Sequence, residues 1–207
     1  MNYFAHLFLS QPTVASTVGN LLGDFAKGVD RSLLPVDIAA GLDNHRAADR
    51  FTDTHTGVQS LKRCFKPSRR RFAGIALDIY FDHLLMKHFD LFSEHPLRQV
   101  VASFYQRMEQ GRELMPSETM RRTTESMIRH DWFAAYADID YLPMVLDRVA
   151  ARIRFPNQFV NAIEDIRSHE QSIEQVFQAF FPQLISHISL LEVEVKSTAP
   201  PGNRGLL

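Results

Sequence analysis

Apolar side chains recur along most of this chain at the three- and four-residue spacing of an amphipathic helix. The segment 100–108 places three apolar residues at intervals of four. A longer series from Phe159 to Phe180 follows a 4-3-7-4-3 spacing, which predicts one face of a long helix ending before Pro182. Because runs with a period of two are short and glycine is scarce, helices are expected to dominate the fold.

Prolines divide these helical segments, and the loops between them are short. No stretch is rich enough in Pro, Gly or Ser to separate two domains. We therefore expect an all-α fold, a single helical bundle spanning residues 1–196. Residues 197–207 lack a core-forming pattern and are expected to form a disordered tail. Leu191, Val193 and Val195 alternate with charged residues, so this stretch is either a short strand or the frayed end of the chain.

Composition excludes several classes of function. A net charge of −1 over 207 residues argues against nucleic-acid binding through the overall charge of the protein. The single cysteine, Cys64, cannot form an internal disulfide or a thiolate metal cage, and it suits a reducing cytoplasm. No apolar run approaches the ~20 residues of a membrane-spanning helix. We therefore expect a cytoplasmic protein without a nucleic-acid or membrane partner.

The segment 72–92 is apolar on nearly every side, which predicts a buried helix. Asp78 and Asp82 share one stripe of this helix with Ile75 and Leu85, one turn apart. Buried carboxylates at this spacing repel each other and need a cation, an arginine or hydrogen-bond donors. A metal ion would meet both needs, and a structural cluster paired with Arg or Lys is the alternative.

Four other polar side chains are candidates for the same chemistry. His45 and Asp49 lie one turn apart, so they can bind one cation, or the Asp can orient the His; a solvated helix face is the alternative. His6 lies in an apolar run, where a hydrogen-bonded core histidine is the commoner outcome. Asp24 is either a ligand or a helix-end carboxylate that faces solvent. Oxygen and imidazole ligands favour Mn, Mg, Fe or Zn over copper(I).

Six cations fall within ten residues and form what we call the basic segment: Lys62, Arg63, Lys66, Arg69, Arg70 and Arg71. No acidic residue occurs between Asp53 and Asp78. Cations at the start of a helix oppose the helix dipole, so they are poor choices for stability alone. An anionic partner is therefore expected here, with a solvated helix start as the alternative.

His130-Asp131 is the one His-Asp dipeptide in the chain. No further acidic or imidazole side chain lies near it at helical spacing. We therefore interpret this pair as structural or surface residues and not as part of a metal site.

Four motifs follow one another within residues 1–88. They are Asn2-Tyr3-Phe4-Ala5-His6-Leu7; Gly-Asn-Leu-Leu-Gly-Asp-Phe from Gly19 to Phe25; Gly41, His45, Arg46, Asp49, Thr52 and Asp53; and Leu77, Asp78, Asp82, His83 and His88. In this order and spacing the chain resembles the acyl carrier protein phosphodiesterase family, a rearranged relative of HD-domain metal phosphohydrolases. Here the tandem is Asp82-His83, the reverse of the usual dipeptide.

The resemblance implies an HD-domain-like helical fold and a metal-dependent phosphodiesterase. Its substrate would be holo-acyl carrier protein, and its products apo-acyl carrier protein and 4'-phosphopantetheine. The expected ion is Mn²⁺, with Mg²⁺, Fe²⁺ or Co²⁺ as alternatives. The basic segment would bind the acidic carrier protein.

The same resemblance assigns roles to individual residues. The catalytic residues would be Asp24, His45, Asp78 and Arg46, the last of them contacting phosphate. The metal ligands would come from Asp24, His45, Asp78, Asp82, His6 and His83, while Asp49 and Asp53 would orient ligands from behind. The alternatives are a phosphohydrolase of another small phosphodiester or nucleotide, and a non-catalytic helical scaffold that binds an acidic protein.

Overall fold

The computed structural model describes residues 1–153 and 159–194. Within these residues the chain forms eleven α-helices and no β-strand, which confirms the all-α prediction. The helices are α1 (Tyr3–Phe8), α2 (Val14–Leu22), α3 (Val36–Thr54), α4 (Thr56–Lys62), α5 (Ala73–Lys87), α6 (Leu97–Gln110), α7 (Glu118–Arg129), α8 (Trp132–Ala137), α9 (Leu142–Arg152), α10 (Ala162–Ser168) and α11 (Glu170–Leu191).

Helix α5 is largely buried, with eleven of its fifteen residues shielded from solvent. Phe81 on this helix packs against Phe177 and Phe180 of α11, with ring centroids 5.5 and 5.7 Å apart. Complete burial of one such ring stabilises the fold by roughly 1.5–3 kcal/mol. The buried helix predicted from the apolar segment is therefore confirmed, and its polar residues need partners.

The long helix predicted from the 159–180 series is wrong in two respects. The series is divided at His169, whose φ of −130° and ψ of 17° separate α10 from α11. Helix α11 then continues through Pro182 instead of ending before it. Pro182 faces solvent, where water can satisfy the carbonyl that lacks its N–H partner, while Phe181 and Leu184 remain buried on either side.

Helices α2 and α3 cross at a point where two glycines face each other. A Cβ atom on Gly19 would lie 2.3 Å from the Ile38 carbonyl oxygen and 2.8 Å from the Gly41 Cα. Only glycine permits this close backbone approach. The crossing brings the end of α2 against the side chain of His45 on α3.

The alternating stretch near the end of the chain forms no strand where it is described, and Glu192 has left-handed backbone with φ of 47° and ψ of 36°. Leu191 is the last residue of α11, and Val193 and Glu194 also have helical backbone. Val195 and the expected disordered tail, residues 197–207, lie outside the described residues.

Candidate metal centre

His6, His45 and Asp49 converge in one cluster, which we call the His–His–Asp cluster. The Asp49 carboxylate lies 3.2 Å from His6 Nε2 through one oxygen and 3.1 Å from His45 Nε2 through the other. The two imidazole rings are stacked with centroids 3.6 Å apart. Each residue offers one ligand atom, and the three atoms lie within 4.8 Å of one another.

Asp82 holds helix α1 in place and so positions His6. Its two oxygens accept hydrogen bonds from the backbone N–H groups of Phe4 and Ala5, at 2.8 and 3.0 Å. These N–H groups lie in the first turn of α1 and have no partner within the helix. Burial raises the pKa of Asp82 to about 7, although the two backbone hydrogen bonds oppose that shift.

His45 is held by the backbone of α2. Its Nδ1 lies 2.7 Å from the Asn20 carbonyl oxygen. Gly23 provides room for the ring, because a Cβ atom there would come within 2.1 Å of the imidazole. The side chain of Asn20 is fixed in turn by a hydrogen bond from Asn44 to its amide oxygen at 3.0 Å.

The tautomer of His45 follows from this geometry. A carbonyl oxygen only accepts, so Nδ1 must be the donor, and Nε2 of a neutral ring then presents a lone pair to Asp49. Two lone pairs 3.1 Å apart require a cation beside them, either a proton on His45 or a metal ion. Metal-binding histidines commonly donate their second nitrogen to a carbonyl in this way.

His6 fits an ion less readily. Its Nε2 faces two acceptors, Asp49 and the Met1 carbonyl, each at 3.2 Å, so that nitrogen carries the hydrogen in the neutral ring. Its Nδ1 is buried without a hydrogen-bond partner in the described structure. The donor set therefore fits a divalent ion through His45 and Asp49, with His6 joining after its hydrogen moves to Nδ1.

The electrostatics favour a neutral His6 beside an ionised Asp49. Burial and the neighbouring His45 lower the pKa of His6 to about 3. Burial alone would raise the pKa of Asp49, but hydrogen bonds from His45, when its Nε2 carries a proton, and from His6 hold it well below its usual range. A metal ion at the cluster would take the place of that His45 proton, with Asp49 ionised as a metal ligand must be.

Two further carboxylates and one amine complete the surroundings. The Met1 amino group lies 3.1 Å from Asp78 and 3.3 Å from Asp49. Burial alone would lower the pKa of this amine, but the charges of Asp78 and Asp49 raise it to about 10. Asp24 faces the same region from the short 3₁₀ turn Gly23–Phe25. Although its side chain is exposed, the protein around it raises its pKa to about 6 by desolvation, against the opposing charges of His45 and Met1.

Comparison with known proteins identifies the family of this chain. The family model described as acyl carrier protein phosphodiesterase matches residues 1–184. The chain belongs to the acyl carrier protein phosphodiesterase family. It is therefore classed with the phosphoric diester hydrolases.

Three curated relatives are proteins named acyl carrier protein phosphodiesterase from Escherichia coli O139:H28 (strain E24377A / ETEC), O9:H4 (strain HS) and strain K12 / DH10B. Each is 31% identical to this chain over 192 residues, which cover 91% of this chain and 98% of the relative. No solved structure matches the chain. The HD-domain likeness therefore remains an expectation.

The structure brings together five of the residues that the family motifs indicate: His6, His45, Asp49, Asp78 and Asp24. Asp49 was expected to orient a ligand from behind, but it contacts both imidazoles and lies in the cluster itself. Asp78 lies next to the cluster and reaches it through the Met1 amino group.

Four other predicted site residues make contacts outside the cluster. Asp82 uses both oxygens to hold α1, and His83 points to another side of α5, with Nδ1 3.0 Å from the Tyr136 carbonyl oxygen. Asp53 is exposed and pairs with Lys62 at 3.0 Å. Arg46 is exposed and lies 3.7 Å from Asp43. These contacts leave none of the four on the cluster.

The basic segment is less free than its sequence indicates. Arg69 lies 3.2 Å from the buried carboxylate of Asp165 and 3.4 Å from Glu164, which also pairs with Lys66 at 3.6 Å. With Lys62 paired to Asp53, half of the segment has an acidic partner. Within the described residues, Arg63 and Arg70 have no carboxylate partner; Arg70 donates to the Arg63 carbonyl oxygen at 3.3 Å.

His130 and Asp131 have different surroundings. Asp131 is structural, because it accepts hydrogen bonds from the Ala134 N–H at the start of α8 and from the Tyr105 hydroxyl, at 3.3 and 2.9 Å. His130, however, lines a cavity that also reaches Asp24 and Asp78. The sequence patterns did not indicate that His130 lines this cavity, because no helical spacing relates it to Asp24 or Asp78.

No helix among the described residues has the length and apolar character needed to cross a membrane.

Proposed function

We propose that this chain hydrolyses the phosphodiester bond between a serine of holo-acyl carrier protein and 4'-phosphopantetheine, using a divalent metal ion. The products are apo-acyl carrier protein and 4'-phosphopantetheine. The family match and the names of the relatives support the reaction and its substrate. The proposed ion is Mn²⁺, with Mg²⁺, Fe²⁺ and Co²⁺ as alternatives, and the proposed compartment is the cytoplasm.

The observation that supports metal use most directly is the orientation of His45. Its Nδ1 is committed to the Asn20 carbonyl, which leaves Nε2 directed at Asp49 3.1 Å away. His45 and Asp49 would hold the ion, and His6 would complete the ligand set. When bound, the ion would supply Lewis-acid activation of water and of the phosphate oxygens.

The residues around the cluster have tasks of their own. Asp78 and Asp49 together hold the Met1 amino group, which keeps the first residues of the chain next to the cluster. Asp24, Asp49 and Asp78 place negative charge at the same point, so a cation is favoured there and an unaccompanied phosphate is not. A phosphodiester would therefore approach only when the cation balances this charge.

A metal-binding experiment and an activity assay test the proposal together. Mn²⁺ is titrated calorimetrically into metal-free protein, and conversion of holo- to apo-carrier protein is followed by mass spectrometry. We expect saturable Mn²⁺ binding, loss of conversion after chelation, and recovery when Mn²⁺ is restored. His45→Ala should abolish both binding and conversion.

His95→Ala is the matched control, because His95 is an exposed histidine away from the cluster. It should bind Mn²⁺ and hydrolyse the substrate like the wild type. Full conversion by verified metal-free protein would overturn the proposed metal dependence. Failure to convert the carrier protein with any of the four ions would overturn the proposed substrate. Equal turnover of a small phosphodiester would favour the alternative phosphohydrolase.

A further inference from the structure

A cavity of about 830 Å³ opens beside the His–His–Asp cluster. Its walls come from α5, α8, α9 and the first residues of the chain. Met1, Asp24 and Asp78 line its inner end. Because the Met1 amino group also contacts Asp49 at 3.3 Å, the cavity ends one contact away from the cluster.

The outer wall of this cavity is apolar and uncovered. Ile75, Tyr141 and Met144 line it and remain 39%, 51% and 39% exposed. Large apolar side chains gathered at the edge of a concave surface are typical of a ligand site. Trp132 lies deeper in the same wall, partly buried.

A few polar side chains interrupt the apolar wall. Ser126, His130 and Arg148 lie on it, and none of them contacts the cluster. Pockets for small organic ligands combine a predominantly apolar lining with a small number of polar groups in this way. The lining therefore fits a flexible ligand that alternates hydrocarbon with hydrogen-bonding groups. An anionic end of such a ligand would need the cluster's cation beside Asp78.

We propose that this cavity binds the pantetheine arm of the substrate during hydrolysis, an inference that rests on the proposed function. The arm begins at the scissile phosphate, so one end must lie at the cluster while the rest extends away from it. Its dimethyl and methylene groups match the apolar wall, and its hydroxyl and two amides match Ser126, His130 and Arg148. The carrier protein would remain outside, joined through its serine.

The chain contains one tryptophan, Trp132, so its fluorescence reports directly on this cavity. Metal-loaded protein is titrated with 4'-phosphopantetheine, with pantetheine and with inorganic phosphate. We expect a saturable change with 4'-phosphopantetheine and with pantetheine, and none with phosphate alone. If only phosphate changes the signal, or if no probe does, the cavity does not bind the arm.

Two variants test the wall itself. Val149→Phe fills the cavity from α9. Met144→Asp places a negative charge, of the same sign as the ligand's phosphate, at the exposed edge of the cavity, where folding is least affected. Each should raise KM for holo-carrier protein and the Kd for 4'-phosphopantetheine about tenfold, while kcat stays within about twofold. Val160→Phe is the matched control, because Val160 is 49% exposed and outside the cavity.

The outcomes separate this inference from the proposed function. A wild-type protein that converts holo- to apo-carrier protein, with KM and Kd unchanged in Val149→Phe and Met144→Asp relative to Val160→Phe, overturns the cavity assignment alone. A wild-type protein that shows no conversion overturns the proposed function. A saturable Trp132 response to pantetheine that Met144→Asp weakens about tenfold supports binding of pantetheine in the cavity, whether or not the wild type converts the carrier protein.

Discussion

Two cavities lie on either side of the contact between α5 and α8, and they differ in what lies next to them. The larger, about 830 Å³, ends at Asp78 beside the His–His–Asp cluster. The smaller, about 490 Å³, is more open and contains His83, Lys87 and Glu170. Asp82 and His83 are adjacent in sequence but point about 100° apart on the helix. A family motif therefore places its members on one helix without placing them in one site.

The largest expected effect comes from removing the cluster while leaving the smaller cavity intact. His45→Ala and Asp49→Ala should each lower kcat by about 10²-fold or more, because the proposed ion would lose a ligand and could no longer activate water. His83→Ala should stay near the wild type, since His83 contacts the Tyr136 carbonyl and not the cluster. Steady-state assays on holo-carrier protein make the comparison.

The reverse result would relocate the site. If His83→Ala abolishes conversion while folded His45→Ala remains active, the chemistry takes place in the smaller cavity. Circular dichroism of both variants ensures that the assay compares folded proteins.

The next effect separates Asp78 from Asp82 by stability. Asp82→Ala leaves two buried N–H groups of α1 without an acceptor, so the free energy of unfolding should fall by about 2–3 kcal/mol. Asp78→Ala should cost less stability, because Asp78 is 34% exposed, yet it should lower activity. Urea denaturation measures the first quantity. Equal losses of stability would show that both carboxylates are structural.

The pH dependence of stability gives Asp82 a signature of its own. Its pKa is raised from 3.8 to about 7 in the folded chain, so the folded state binds this proton more tightly than the unfolded state. The stabilisation is complete below about pH 4 and declines as the pH rises towards 7. Asp82→Asn should therefore flatten the fall in the free energy of unfolding between these values. An unchanged slope of the free energy of unfolding against pH would contradict the raised pKa of Asp82.

Sequence patterns predicted the cluster better than they predicted its supports. His6, His45 and Asp49 belong to motifs whose helical spacing fixes their faces. The contact from Asp82 to Phe4 spans 78 residues, and the pairing of Arg69 with Asp165 spans 96. No local period encodes contacts between distant segments. The contact between His45 and the Asn20 carbonyl could not be predicted either, because every residue type has a backbone carbonyl.

A smaller effect is expected at Glu194, which lies ten residues beyond the family match and braces α2. Its carboxylate accepts hydrogen bonds from the Ser16 hydroxyl and, at 3.1 Å each, from the Gln11 N–H and the Asn20 side chain. Glu194→Ala should cost about 1–2 kcal/mol in the free energy of unfolding, because these donors lose their acceptor.

Glu194→Gln is the matched variant. Burial raises the pKa of Glu194, although its hydrogen bonds oppose the shift. Both oxygens of Glu194 accept hydrogen bonds, whereas a glutamine offers one acceptor oxygen and turns its NH2 group towards a donor. Glu194→Gln should therefore lose less stability than Glu194→Ala in chemical denaturation, but not match the wild type. A loss as large as that of Glu194→Ala would mean that both acceptor oxygens are required.

The smallest effect concerns binding of the acidic carrier protein by the basic segment. Arg63 and Arg70 are exposed and lack a carboxylate partner within the described chain, whereas Arg69 pairs with buried Asp165. Reversing Arg63 and Arg70 to Glu should raise KM for holo-carrier protein about threefold at low salt without changing kcat. Rim charges mainly alter the association rate, which explains the modest size.

The control reverses two exposed arginines elsewhere, Arg98 and Arg122, and so changes the net charge equally. Only the Arg63/Arg70 variant should raise KM, and the difference should shrink as salt is added, because screening acts over about 10 Å at 0.1 M. Arg69→Glu is a poor probe, since loss of the Asp165 pair would destabilise the fold and obscure any effect on docking. If both double variants raise KM equally, the carrier protein responds to net charge alone. Within the basic segment, Lys62, Lys66 and Arg69 would then serve only to pair with Asp53, Glu164 and Asp165.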